Sequence, residues 1–185
     1  MRAINSVELN RRNILKLVII AFFISVVWNL ISICFFTTYR ISGSSMESTL
    51  HSGEKVLVNK LVYYVVKPHR GDVVILHATK NTDFIKRVIG IGGDTIEFRD
   101  DVLFINGSSV DETYLRENRQ RAKLLGNILT NDYGPITIPK GKVFVMGDNR
   151  NNSIDSRDIG MIDLNDIVGR TELIYSPRSN FRLVK

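Results

Sequence analysis

The chain has 185 residues, a formal net charge of +6 and the composition of a folded protein. That size suits one membrane anchor plus one ordinary domain, and the composition excludes low-complexity and disordered classes. Arg2, Arg11, Arg12 and Lys16 against Glu8 place +3 of the charge in the first 16 residues, which fits a tail lying on an anionic membrane surface. No Lys/Arg stripe with interleaved aromatics follows, so nucleic acid is not an expected partner.

Leu17 to Phe36 is almost unbroken in apolar residues. At 1.5 Å per residue, about 20 residues cross the roughly 30 Å hydrocarbon layer as a helix. Arg11, Arg12 and Lys16 flank its near end, so the positive-inside rule puts the tail, 1–16, in the cytoplasm and residues 37–185 outside. The expected protein is single-pass in the cell membrane. A cleavable secretory signal is the rival, but the apolar stretch is long and no small-x-small site follows it. Asn29 is the most polar interruption and a candidate contact for a partner helix. Cys34, the single cysteine, leaves no intramolecular disulfide, and no Cys/His spacing points to zinc.

After a short connector comes Ser42-Gly43-Ser44-Ser45-Met46-Glu47-Ser48-Thr49-Leu50. It reads either as a flexible membrane-proximal linker or as a nucleophile loop. From Glu54 onward the pattern is that of strands: Val56–Val58, Leu61–Val66, Val73–Leu76, Phe84–Ile91, Thr95–Phe98, Val102–Ile105, Ile136–Ile138, Val143–Met146 and a last one at Glu172–Tyr175. Asp100-Asp101 is a hairpin candidate, and Asn106-Gly107 is a type I′ turn signal. The charged stretch 112–130 reads as a surface excursion with a short helix, and 164–168 as a single helical turn. Many short strands without a βαβ rhythm predict a mainly β protein. The fold expected after the transmembrane helix is one compact all-β domain, a folded double sheet or barrel.

Two features bear chemistry. In an extended strand Phe84, Lys86 and Val88 share one face, and Ile85, Arg87 and Ile89 the other. A lysine between two apolar neighbours is open to desolvation, which lowers its pKa towards the range of a general base. The bland alternative is a lysine snorkelling to solvent at a sheet edge. The second feature is the polar tract 147–158. It is either an exposed loop or a hydrogen-bonded network, in which Asp148 and Arg150, and Asp155 and Arg157, are placed to pair. A Ser-His-Asp triad is the obvious rival scheme. His51 follows the serine loop too closely to fold back on it, His69 sits in a turn, and His77 ends a strand.

The apolar anchor, SGSSMESTL, GDVVIL, FIKRVIGIGGD and GDNRNNSIDSRDIG, in that order, resemble a type I signal peptidase, the membrane-bound Ser/Lys protease of bacterial secretion. The residues alone do not choose between Ser44 and Ser45. The resemblance makes Ser45 the nucleophile, because it directly precedes Met46, and Lys86 the general base. It aligns Ser153 with a serine that orients the lysine, and Asp148, Arg150, Asp155 and Arg157 with the polar support. It implies no cofactor and no metal. It implies exported pre-proteins with signal peptides as substrates, at the membrane lipid and near the secretion machinery. Three positions depart from the family pattern. Gly43 stands where some members carry a second oxyanion donor, Ser48 where proline is usual, and Gly92 where proline is frequent. Two other functions fit parts of the same pattern. A self-cleaving repressor would need a DNA-binding domain in place of the anchor. A non-cutting β-domain that binds pre-proteins or partners would be expected to lose the serine or the lysine.

Overall fold

The computed structural model describes residues 11–79 and 82–184. Arg2 and Glu8 lie outside them, as does the side chain of Cys34. The chain parts into two compact units between Phe36 and Thr37. The first is helix α1 (Arg11–Phe35). It contains no glycine or proline, and its side chains from Arg11 to Leu30 are exposed. Among the described residues it is the one helix long and apolar enough to cross a membrane, by length and composition. The helix includes the six residues Arg11 to Lys16 ahead of the apolar run, where Arg and Lys continue a helix about as readily as Leu does. Phe36 leaves it to begin a strand. The Asn29 amide donates one hydrogen bond within its own helix, to the Ser25 carbonyl at 3.0 Å.

The second unit is built from strands β1 (Phe36–Arg40), β2 (Lys55–Asn59), β3 (Val73–Thr79), β4 (Thr82–Ile91), β5 (Thr95–Arg99) and β6 (Val102–Ile105). β7 (Ser108–Val110), β8 (Tyr133–Thr137), β9 (Lys142–Met146), β10 (Ile162–Asp163), β11 (Ile167–Ser176) and β12 (Arg182–Leu183) complete it. One sheet has the order β1-β2-β11-β3-β4-β9-β10, with β12 on β11, and the other has the order β7-β6-β5-β8. The expected folded double sheet is what forms. The turns follow from chemistry readable in sequence. Asp100 and Asp101, and Asn106 and Gly107, all carry positive φ, as two-residue type I′ hairpins require.

Three short helices interrupt the strands: α2 (Val62–Val65), α3 (Arg116–Leu124) and α4 (Ser156–Ile159). α2 corrects the strand expected at Leu61–Val66. The Asn59 carboxamide oxygen accepts from the N–H groups of Leu61 and Val62 at 3.0 and 3.2 Å, which turns the chain before it can extend. At 164–166 there is a single 3-10 turn. The strand expected at Glu172–Tyr175 is the second half of β11 and is not the last, since β12 follows it.

The fold presents β4 in a particular way. Its first half pairs with β3 and its second half with β9, whose ladder ends at Met146 opposite Arg87. Lys86, opposite Val74 on β3, is thus the first residue of β4 beyond the β9 ladder. The strand edge from Thr82 to Lys86 is left without a β9 partner.

Candidate active site

The loop 42–50 joins β1 to β2. It turns at Gly43, whose φ of +93° favours glycine. It is then held by burial. Met46 and Leu50 are buried with Val56, Val58, Val73 and Ile75 under the larger sheet, and the Leu50 N–H closes a turn on the Met46 carbonyl at 2.9 Å. Fully burying such side chains contributes about 1.5–3 kcal/mol each. The two serines just before Met46 are treated differently. Ser44 Oγ accepts from Asn152 Nδ2 at 2.8 Å. No hydrogen bond among the described residues engages Ser45 Oγ, although the Ser45 carbonyl accepts from the Asn149 N–H at 3.0 Å.

Lys86 is 3 % exposed. Its amine donates to Ser153 Oγ at 3.0 Å and sits 5.2 Å from the centre of the Phe84 ring. Phe84 and Lys86 therefore share a face, as the strand alternation requires. Burial pushes the Lys86 amine down to about 8, against the opposing pull of the Asp155 carboxylate. The snorkelling alternative is excluded. Lys86, Ser45 and Ser153 line one groove; among the described residues no direct hydrogen bond joins Lys86 to Ser45.

The acidic and basic residues of 147–158 pair differently from the sequence expectation in one half. Asp155 and Arg157 do pair, at 2.8 Å. Burial works to raise the Asp155 carboxyl, but Arg157, the Gly147 N–H and the Ser153 hydroxyl outweigh it and hold it below the usual carboxylate range. Asp148 and Arg150 do not pair with each other. Asp148 accepts a fork from Arg87 Nε and Nη2 at 2.9 and 2.8 Å, and Thr49 Oγ1 donates to the same carboxylate. Arg150 is forked onto Glu112 and also donates through Nε to the Gly147 carbonyl at 3.1 Å. The reason is spatial: the loop turns between 148 and 150, so each buried side chain meets an element from elsewhere in the chain. Arg87 and Glu112 were missed as partners. Arg87 did leave a signal, as a charge on the Ile85–Ile89 face that needs a buried carboxylate. Glu112 left none.

Gly147 lets the two loops touch. A Cβ there would stand 2.7 Å from Ser153 Cβ and would overlap Ser153 Oγ and the Ser45 carbonyl. The groove itself has a volume of ≈ 430 Å³. Tyr39–Ser42 form one wall, Asp83–Lys86 of β4 the other, and Ile75 and Ile154 add apolar surface. The Tyr39 hydroxyl ties the walls by donating to Asp83 at 3.0 Å. None of His51, His69 and His77 lines the groove, so no histidine reaches Ser45 as a triad base. Among the described residues no three His, Cys, Asp or Glu side chains gather at metal-binding spacing.

What this arrangement can do chemically is hold a hydroxyl with no competing hydrogen bond in the same groove as an amine whose pKa burial lowers to about 8, next to a strand edge left without a ladder partner. Comparison with known proteins shows which family the chain resembles. The sequence signature of the family described as "Signal peptidase, peptidase S26" matches residues 11–176. A signal peptidase I of Bacillus licheniformis is 44% identical over 94% of this chain and 95% of its own. Signal peptidase I T of Bacillus subtilis is 47% identical over 81% of this chain and 79% of its own. A crystal structure of a signal peptidase I from Enterococcus faecalis superposes with a TM-score of 0.53 at 34% identity, covering 57% of this chain and 97% of that one.

Proposed function

The chain belongs to the signal peptidase family, peptidase S26, and from that premise we propose that it is a membrane-bound serine endopeptidase that removes signal peptides from exported pre-proteins with Ser45 and Lys86 as a dyad. The observation that carries this reading is the buried Lys86 amine, held near 8 and oriented by Ser153, in the groove that Ser45 also lines. An exposed lysine would be almost wholly protonated at neutral pH and could not accept a proton.

The neutral Lys86 amine takes the proton from Ser45 Oγ as that oxygen attacks the scissile carbonyl. The resulting oxyanion faces the Ser45 N–H, which donates to no group among the described residues. Gly43 supplies no second side-chain donor, and its positive φ would strain a serine placed there. Protonated Lys86 then gives its proton to the leaving amine, the C–N bond breaks, and an ester on Ser45 remains. The same amine next removes a proton from water, whose attack breaks the ester and restores Ser45. Catalytic hydrogen bonds often tighten only with substrate bound, which reconciles this route with the amine resting on Ser153. Ser153, Asp155 and Arg157 orient the base. Asp148 and Arg150 hold the loop through Arg87 and Glu112. A pre-protein segment would bind extended, adding to the free edge of β4 between Thr82 and Lys86.

The chain's three parts then have one job each: 1–16 is a cytoplasmic tail, 17–36 a membrane anchor and 37–185 the extracytoplasmic catalytic domain. The anchor keeps the site near the bilayer where the substrate's signal helix lies, which raises its effective concentration.

The purified full-length protein, offered a pre-protein, is expected to release one product with a small residue just before the cut. The rate constant kcat/KM is expected to rise with pH and level off above about 8, as Lys86 loses its proton. Ser44→Ala is expected to keep most activity. Absence of product, with the pre-protein bound, would favour the non-cutting reading. Gly147→Ala is expected to lower kcat by about 10²-fold, because its Cβ forces the two loops apart. Turnover at the wild-type rate in that variant would show that the loop contact is dispensable.

A further inference from the structure

Resting on the assignment of Ser45 as nucleophile, we propose that Asn118 is a positioning residue, a side-chain clamp that locks the nucleophile loop to the Asp148 loop. Among the described residues, the excursion 112–130 hydrogen-bonds to the nucleophile loop through this one residue. Asn118 lies in the first half of α3 and is only 6 % exposed. Its Nδ2 donates to the Glu47 carbonyl at 2.7 Å and to the Asp148 carbonyl at 2.8 Å. Glu47 is two residues after Ser45, and Asp148 directly precedes Asn149, whose N–H holds the Ser45 carbonyl. One amide group thus spends both its hydrogens on the two backbones between which Ser45 is suspended. Both partners are carbonyl oxygens, so only the amide nitrogen can face them.

The helix that carries Asn118 is fastened at both ends. Before it, Glu112 is buried and receives Arg150, Arg119 and the Tyr114 hydroxyl. Leu115, Ala122 and Leu129 form a small core of their own. After it, the Thr130 N–H donates to Asp101 at 2.9 Å, and Asn151 Nδ2 donates to the Ile128 carbonyl at 3.0 Å. A residue needed only to cover the site would not require this precision of direction. Nothing in the clamp touches Lys86. It sets where the serine stands, not when the amine is neutral.

The test compares Asn118→Ala and the isosteric Asn118→Asp with wild type, Glu117→Ala and Ser45→Ala. Rates are measured well below each melting temperature. Alanine favours the helix locally, whereas aspartate sets carboxylate oxygens against two carbonyls. Both Asn118 variants are expected to lose about 10²-fold in kcat, from a nucleophile displaced by a fraction of an ångström. KM and the pH of half-maximal kcat/KM should stay at the wild-type values, and amide exchange at Leu50 should quicken. Glu117, 67 % exposed on the same helix, should tolerate alanine with no change. The clamp is overturned by wild-type kcat in folded Asn118→Ala, by unchanged exchange at Leu50, or by a pH profile that moves with the loss. Cleavage by Ser45→Ala would instead overturn the nucleophile assignment, whatever Asn118 does.

Discussion

Ser45→Ala and Lys86→Met are each expected to abolish cleavage, by at least about 10⁴-fold, because the amine serves as base in both half-reactions and the hydroxyl is the group acylated. Only the second change should make the protein more resistant to heat. Lys86 is almost fully buried, and its pKa falls from 10.5 in the unfolded chain to about 8 in the folded one. Below about pH 8 both states hold the proton, and folding bears the whole cost of burying a charge. Between 8 and 10.5 the unfolded chain binds a proton that the folded chain has released. Wild-type stability from this group therefore rises with pH across that window. The shift corresponds to roughly 3 kcal/mol. Methionine removes that cost and also loses the bond to Ser153, about 1 kcal/mol. At pH 7 the net gain is then about 2 kcal/mol, or roughly 4–8 °C in Tm. The advantage over wild type should shrink as pH rises from 8 towards 10.5. Thermal unfolding of both proteins at pH 7 and 10 measures this. A Lys86→Met variant less stable than wild type at pH 7 would mean that the amine is hydrated and does not titrate as a base.

Glu112→Ala is expected to cost 3–5 kcal/mol, the usual penalty for leaving a buried charge without its partner. Arg150 and Glu112 are both buried, and Glu112 is what keeps the Arg150 charge favourable against desolvation. For a domain whose whole stability is about 5–15 kcal/mol, that brings the variant close to unfolding. The double change Glu112→Leu with Arg150→Met removes both charges and should regain most of the loss. It should not regain activity, because Arg150 Nε also holds the Gly147 carbonyl where the two loops meet. Denaturant titration of the single and double variants, with cleavage rates on the folded fraction, separates the two roles. If the double variant were as unstable as Glu112→Ala, the ion pair would not be the source of the loss.

The residues differ in how far they could be read in advance. Alternation around Lys86 placed it on a face with Phe84, and the structure has the amine beside that ring. Asn106-Gly107 and Asp100-Asp101 announced their turns, because positive φ is a local demand met by few side chains. Leu61–Val66 misled, since its β-branched residues outweighed Asn59, whose side chain starts a turn. The expectation of Ser45 rather than Ser44 as nucleophile rests on family resemblance and not on its neighbours in sequence. The hydrogen bond from Asn152 to Ser44 now gives a physical distinction.

Taken alone, the amino-acid order determined one apolar helix, a β-rich remainder, its hairpin turns and a lysine set between apolar residues. Each of these depends on residues within a turn or a strand of one another. Tertiary structure decided that Asp148 answers Arg87, that Glu112 answers Arg150, and that Asn118 reaches Glu47. Those partners stand 61, 38 and 71 positions apart in the chain. Their meeting depends on sheet register and on the path of a loop, for which no short stretch of sequence carries a local energetic signal.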